Sequence, residues 1–314
     1  MENLIFTTNL VAPVFLIVAI GFALRKFGLI NDNFISLSSK IVFSVALPAL
    51  IFTEISTIKL EEILNFKLIL FAYLITIISF LFSWLISIPF IKGGKDRSVF
   101  IQGSFRGNYA IVGLAIIANL YGTNSLGKAS LLLSFIVPLY NILSVVALTV
   151  PMRGEKQINF VKTLVEIIKN PLIIAVIIAV LFSYFQVALP NVILLTVDYL
   201  SDIALPLALI GIGGFMSVSD IKRTSSISFS STAIKLILIP SIGTYCAFLL
   251  GFKGEELGIL FILFASPTAI VSFIMAEAMG ANSRLAGNIL LITTLGSVVT
   301  ITIGLFILKE NGLI

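Results

Sequence analysis

The sequence contains no histidine and a single cysteine, Cys246. One cysteine cannot close an intrachain disulfide, and without histidine beside it no zinc-type ligand cluster can be assembled. The missing histidines, with the lack of a recognisable nucleophile and its base, also weigh against a membrane-embedded enzyme. No cofactor is expected. Charge is scarce as well: 11% of residues are charged and 59% apolar, against about 25% and roughly 45–50% in soluble globular domains. A water-soluble fold of this size could not hide so much apolar surface. Runs such as Ile69 to Ile91 exceed the roughly 20 residues that a bilayer-crossing helix needs. The chain therefore reads as an all-α integral membrane protein whose solvent is lipid.

Apolar segments fall near 10–27, 36–53, 68–91, 98–120, 130–150, 171–188, 194–217, 228–250, 257–279 and 285–307, which makes ten transmembrane helices. The first does not read as a cleaved signal peptide: Glu2 precedes it, and Arg25 and Lys26 follow the apolar run instead of leading it. The Lys and Arg residues sit mainly in short loops, where they set orientation rather than bind a polyanion, so nucleic acid is not an expected partner despite the net charge of +5. Gly122 to Ser130, "GTNSLGKAS", nearly matches a phosphate-binding loop, but Ala129 stands where the Mg²⁺-binding hydroxyl is required, and the stretch follows an apolar span rather than a strand.

Three short matches suggest a duplication. "ALP" recurs from 46–48 to 204–206, Pro13 and Pro171 each open a span, and "AIV" recurs from 110–112 to 269–271, at offsets of 158, 158 and 159. The implied units are 1–151 and 171–314, joined by a basic connecting loop at 152–170. Five spans per unit is an odd number, so the second unit enters the bilayer the other way up: a 5+5 inverted repeat, as in secondary transporters. Loops after odd-numbered spans hold thirteen Lys and Arg, the other side five, and Arg106 and Lys235 lie inside spans. Positive-inside then makes the richer side cytoplasmic and both termini external, in a multi-pass protein of the cell membrane.

The same register aligns Pro267 with Asn108. Pro267 removes a backbone donor and clashes with the preceding turn, while Gly107 and Asn108 tolerate conformations that other residues resist. Spans four and nine are both expected to break there, and Pro48 and Pro206 are expected to disturb spans two and seven. Bare backbone groups at bilayer depth cost several kcal/mol each, so breaks survive where they line a protein-buried cavity. Half-helix N-termini, each roughly half a positive charge, would face whatever enters, and a carboxylate is the natural guest.

The stretches "LPALIF" at 47–52, "FRGNYAIVGLAI" at 105–116 and "SPTAIVSFIMAEAMG" at 266–280 resemble the auxin efflux carrier family, which includes bacterial malate and malonate permeases. The resemblance implies that broken helices four and nine cross at the substrate site, that a small organic anion is moved by elevator-like alternating access, and that Asn108 is a substrate-contacting asparagine. Plant members carry a long central loop; here it is short, and span four lacks the proline of more symmetric members.

Read from the residues, Asn108 is the first candidate for substrate contact, with Tyr109 beside it. Arg106 either attracts the anion or pairs with Glu277, and the sequence leaves both open. Tyr140 and Asn141 offer a hydroxyl and an amide in mid-span five, and Ser266 and Thr268 either reach substrate or repair the bonds lost at Pro267. Asp202, with Asp198 one turn further out, is the expected coupling carboxylate, provided it is buried. A proton or sodium ion as coupling partner and a homodimer stay open, as does a sodium-coupled symporter of the bile-acid type.

Overall fold

The structure is a computed structural model that describes residues 2–56, 65–122, 125–152, 171–187, 189–215 and 226–314. The connecting loop expected at 152–170 lies almost wholly outside the described residues. These fold as helices: α1 (Glu2–Lys26), α2 (Asp32–Ile41 continuing through Val42–Ala46 into Leu47–Ser56), α3 (Phe66–Phe90), α4a (Gly94–Phe105) and α4b (Tyr109–Tyr121), α5 (Leu126–Thr149). There follow α6 (Pro171–Tyr184), α7 (Asn191–Asp202 and Ala204–Phe215), α8 (Ser226–Leu249), α9a (Gly254–Ala265) and α9b (Ile270–Ala278), and α10 (Ser283–Glu310). Six are long and apolar enough, by length and composition, to cross a bilayer: α2, α3, α5, α7, α8 and α10.

Three irregular turns among the described residues stand just before a proline. Proline has no N–H for the carbonyl four residues back and its ring clashes with that carbonyl, which favours a widening or kink just upstream. Pro48 follows the wide π turn Val42–Ala46, Pro240 follows the π turn Ile234–Leu238, and Pro206 follows a break at Ile203. Expected from sequence at Pro48 and Pro206, the disturbance has the form of a π turn in one helix and an interruption in the other.

The helices can be described as two sets, which also touch each other where α1 packs on α10 and α2 on α5. In one, α7 lies on α1, and α6 and the first part of α7 lie on the second half of α2. A Cβ on Gly21 would fall on the Ile210 carbonyl and one on Gly213 on the Val18 carbonyl, so glycine permits the backbone-to-backbone approach of α1 and α7. In the other set, α3, α4a, α5, α8, α9 and α10 surround the two broken helices.

The broken helices enter from opposite ends. At one end, the Asn65 side chain accepts from Leu68 N and so caps α3, and its amide donates to Glu256 in the first turn of α9a at 2.6 Å. At the other, Asn282 caps α10 and donates to Asp96 in the first turn of α4a at 2.8 Å. Both α4a and α9a are 12 residues long, about 18 Å at 1.5 Å per residue, a little over half of a hydrocarbon core about 30 Å thick. Their C-termini therefore meet in mid-structure.

Candidate functional site

Where they meet, the two breaks pair as a fragment of antiparallel ribbon, Gly107 against Thr268, with Asn108 N donating to Pro267 O at 2.6 Å. The pairing satisfies backbone groups that neither helix can satisfy itself. Thr268 staples it: its hydroxyl donates to Gly103 O at 2.7 Å, and its amide donates to Thr293 Oγ1 at 3.1 Å. The Ser266 hydroxyl turns back to Ile262 O at 2.6 Å. The hydroxyls of Ser266 and Thr268 are thus spent on backbone carbonyls, the repair role weighed for them beside substrate contact.

On one side of the ribbon is a cavity of about 170 Å³, enough for roughly five or six waters at about 30 Å³ each. Its walls are Arg106 to Ile111 at the start of α4b, Ala269 to Val271 at the start of α9b, Leu133, Val137, Tyr140 and Asn141 of α5, and Phe43 from the π turn of α2. Two half-helix N-termini, the positive ends of their peptide dipoles, therefore border one small space.

Arg106 is 6% exposed. Its guanidinium donates to Asn141 Oδ1 at 2.9 Å, Ser144 Oγ at 3.0 Å and Met275 Sδ at 3.0 Å. All three acceptors are neutral. Among the described residues, ion pairs join only Arg25 to Asp32 and Lys128 to Glu255, both at helix ends, and the Glu277 side chain lies outside what is described. An arginine has five N–H donors in a fixed fork; here the neighbours orient the fork without cancelling its charge.

Asn108 is buried, and its carbonyl accepts the first amides of α4b, from Val112 at 3.1 Å and Gly113 at 3.3 Å. Its side chain does not cap the helix, so the amide faces the cavity with its donors uncommitted to the described residues. Tyr109, fully buried on the cavity wall, has a hydroxyl with no hydrogen-bond partner among the described residues. Tyr140 stacks at a tilt on Phe105, ring centroids 5.9 Å apart, and lines the cavity.

The structure thus gathers Arg106, Gly107, Asn108, Tyr109, Tyr140 and Asn141 on one cavity and leaves Ser266 and Thr268 in the ribbon. Asp202 does not fit the expectation of a buried carboxylate: it and Asp198 are exposed on α7, on a helix that adds nothing to the cavity wall. The first part of α7, which ends at Asp202, leans chiefly on α2 and presents its other face outward, and residue type alone could not say which face carries Asp202. Sequence reasoning missed Ser144, Met275 and Phe43. Ser144 was accessible, since it lies three and four residues after Asn141 and Tyr140 and so shares their helix face. Met275 and Phe43 carried no signal.

Comparison with known proteins decides the family. A model of membrane transport proteins matches residues 6–305. The chain belongs to the auxin efflux carrier family of membrane transport proteins. Similar family members include an uncharacterized transporter of Methanocaldococcus jannaschii, 23% identical over 94% of this chain and 96% of its own length. A Rhizobium meliloti protein named "Putative malonate transporter" is 26% identical over 98% of this chain and 97% of its own. Auxin efflux carrier component 3 of Arabidopsis thaliana is 27% identical over 36% of this chain and 18% of its own. Family and relatives are transporters, not enzymes, and this carrier is a multi-pass membrane protein.

Proposed function

We propose that this carrier moves a small organic anion, a mono- or dicarboxylate, across the cytoplasmic membrane as a secondary transporter. The observation that carries the reading is the buried Arg106 guanidinium, held among the described residues only by neutral acceptors, at a cavity bordered by two helix N-termini. A buried charge calls for a counter-charge, and a carboxylate arriving from solution would supply it. Arg106 provides the fork, Asn108 a second donor, and Tyr109, Tyr140 and Asn141 shape and orient. The relative named for malonate supplies the first substrate to try.

The repeat and the transport cycle belong to the same proposal. Two twelve-residue half-helices broken at matching places, and disturbed α2 and α7 at Pro48 and Pro206, support a 5+5 inverted repeat of units 1–151 and 171–314. Phe43 of α2 is the one contribution of the α1, α2, α6 and α7 set to the cavity wall, so the cavity lies at the seam between the two sets. A body of α3, α4, α5, α8, α9 and α10 sliding along that seam would carry the anion across, elevator-fashion, with the residue-rich basic loops cytoplasmic and the termini outside.

Thermal unfolding of the purified carrier against a panel of carboxylates tests the reading, because a ligand that binds the folded state raises its melting temperature. At least one carboxylate should raise it in the wild type and fail to do so in Arg106→Ala. A panel without any shift, or an undiminished shift in Arg106→Ala, overturns it.

A further inference from the structure

Beside the ribbon, and not among the residues that wall the cavity, a second buried cation meets a helix C-terminus instead of a helix N-terminus. Lys235 sits in the π turn of α8, is 1% exposed, and donates from Nζ to Phe264 O at 2.6 Å. The chemistry of α9a explains why that carbonyl is available. A helix leaves its last carbonyls without intrahelical donors. Leu263 O would take the amide of residue 267, but that residue is Pro267, which has none. Phe264 O would take the Thr268 amide, but that amide goes to Thr293 Oγ1. Nearby, a Cβ on Gly107 would stand 3.3 Å from Leu263 O and 3.3 Å from Lys235 Nζ, so either neighbour would have to give by a few tenths of an ångström to admit a side chain there.

Exposed carbonyls at an unwound helix C-terminus are what transporters use to hold a coupling cation. Here the cation is covalently attached to α8. We propose that the Lys235 ammonium is a resident cation at the α4–α9 crossing, held on Phe264 O at the open end of α9a in place of a sodium ion, so that the crossing binds no sodium. The inference rests on the transport reading for its consequence, that carriage is sodium-independent, but its test does not require knowing the anion. No ion pair joins Lys235 to a described carboxylate, and its described partner is the carbonyl dipole of Phe264, a ligand type that a bound metal ion would also take.

The experiment is ligand-free thermal unfolding of the purified carrier in equal concentrations of sodium chloride or choline chloride, for wild type, Lys235→Gln and Lys235→Ala. Wild type should melt at one temperature in both salts. Lys235→Gln keeps a donor for Phe264 O and lacks the charge; a lysine that acts merely as a helix cap would be replaced well by it. A resident cation would not be: both variants should melt lower in choline and be raised, saturably, by sodium or by methylammonium, which fits the space the side chain leaves. A saturable sodium shift in the wild type overturns the proposal, even if neither variant can be purified. Variants that melt as wild type in choline, or whose loss neither cation restores, overturn it as well. A carboxylate panel without effect on the wild type would sink the anion reading and leave this result standing.

Discussion

The two breaks at the centre of this carrier stand at positions that the sequence register aligns, yet they are unlike. Arg106, Gly107 and Asn108 open toward a cavity, with a charge and an amide uncommitted to the rest of the described protein. Ser266, Pro267 and Thr268 close on themselves, every hydroxyl on a carbonyl. The difference lies in how each break is enforced. Proline enforces a break by itself, and small hydroxyl side chains can then mend the exposed backbone locally. A break without proline has to be held by its surroundings, here the ribbon bond to Pro267 O and the grip of α5 on Arg106. That leaves its polar side chains available to a guest. On the proposed reading, the proline break is structural and the Arg106–Asn108 break carries recognition.

Arg106→Ala should break this comparison most visibly. The guanidinium can give a carboxylate two charge-assisted hydrogen bonds, each worth roughly 1.5–3 kcal/mol, so carboxylate affinity should fall about a hundredfold or more. Titration by calorimetry or by melting temperature measures it. Stability without ligand should change less, because the acceptors left behind, Asn141 and Ser144, are neutral groups beside a cavity that admits water. If stability collapses and is regained in the double variant with Glu277→Ala, Arg106 is half of an ion pair and the cavity loses its anchor.

Next comes Asn108→Ala. One donor is lost, so affinity should fall about tenfold to a hundredfold, and ligand-free melting should hardly move, since the Asn108 amide does not cap α4b. Unchanged carboxylate affinity would leave Arg106 alone as the anion site.

How much of this was legible in the sequence follows from which forces act locally. The helix breaks were, because Pro267 acts through its own ring and the expected register aligned it with Asn108. The membrane character was, because lipid imposes length and composition directly, although among the described residues six helices, not ten, are long and apolar enough to cross a bilayer. Lys235 was visible as a charge inside a span, but its meeting with Phe264 O joins α8 to α9 across 29 positions, and no local pattern states it. Asp202 failed for a related reason: in a chain apolar on every face, periodicity does not separate the buried side of α7 from the exposed one. The π turns beside Pro48 and Pro240 were equally hidden, since a proline specifies a lost bond and not the geometry that absorbs it.

Thr268→Val should have an intermediate effect of a different kind. Valine keeps the branched shape and removes the donor to Gly103 O. A buried carbonyl left without its partner costs roughly 1–3 kcal/mol, visible as a lower melting temperature. Carboxylate affinity should stay near the wild-type value. A variant that melts normally and binds poorly would place Thr268 in contact with substrate and undo the division between the two breaks.

The smallest effect is expected for Ser266→Ala, and it tests the division most sharply. The Ser266 hydroxyl donates to Ile262 O, but the Ser266 backbone amide donates to the same carbonyl at 3.0 Å. Removing the hydroxyl therefore leaves no orphaned acceptor. The bond lost is of the neutral, already duplicated kind, worth less than the usual 1 kcal/mol or so. Alanine also favours the helical end it would occupy. Melting temperature should move little and carboxylate affinity not at all. Should Ser266→Ala bind a carboxylate more weakly at unchanged stability, the hydroxyl must leave Ile262 O during the cycle and turn toward the guest, and the proline break would then be a second recognition element rather than a closed one.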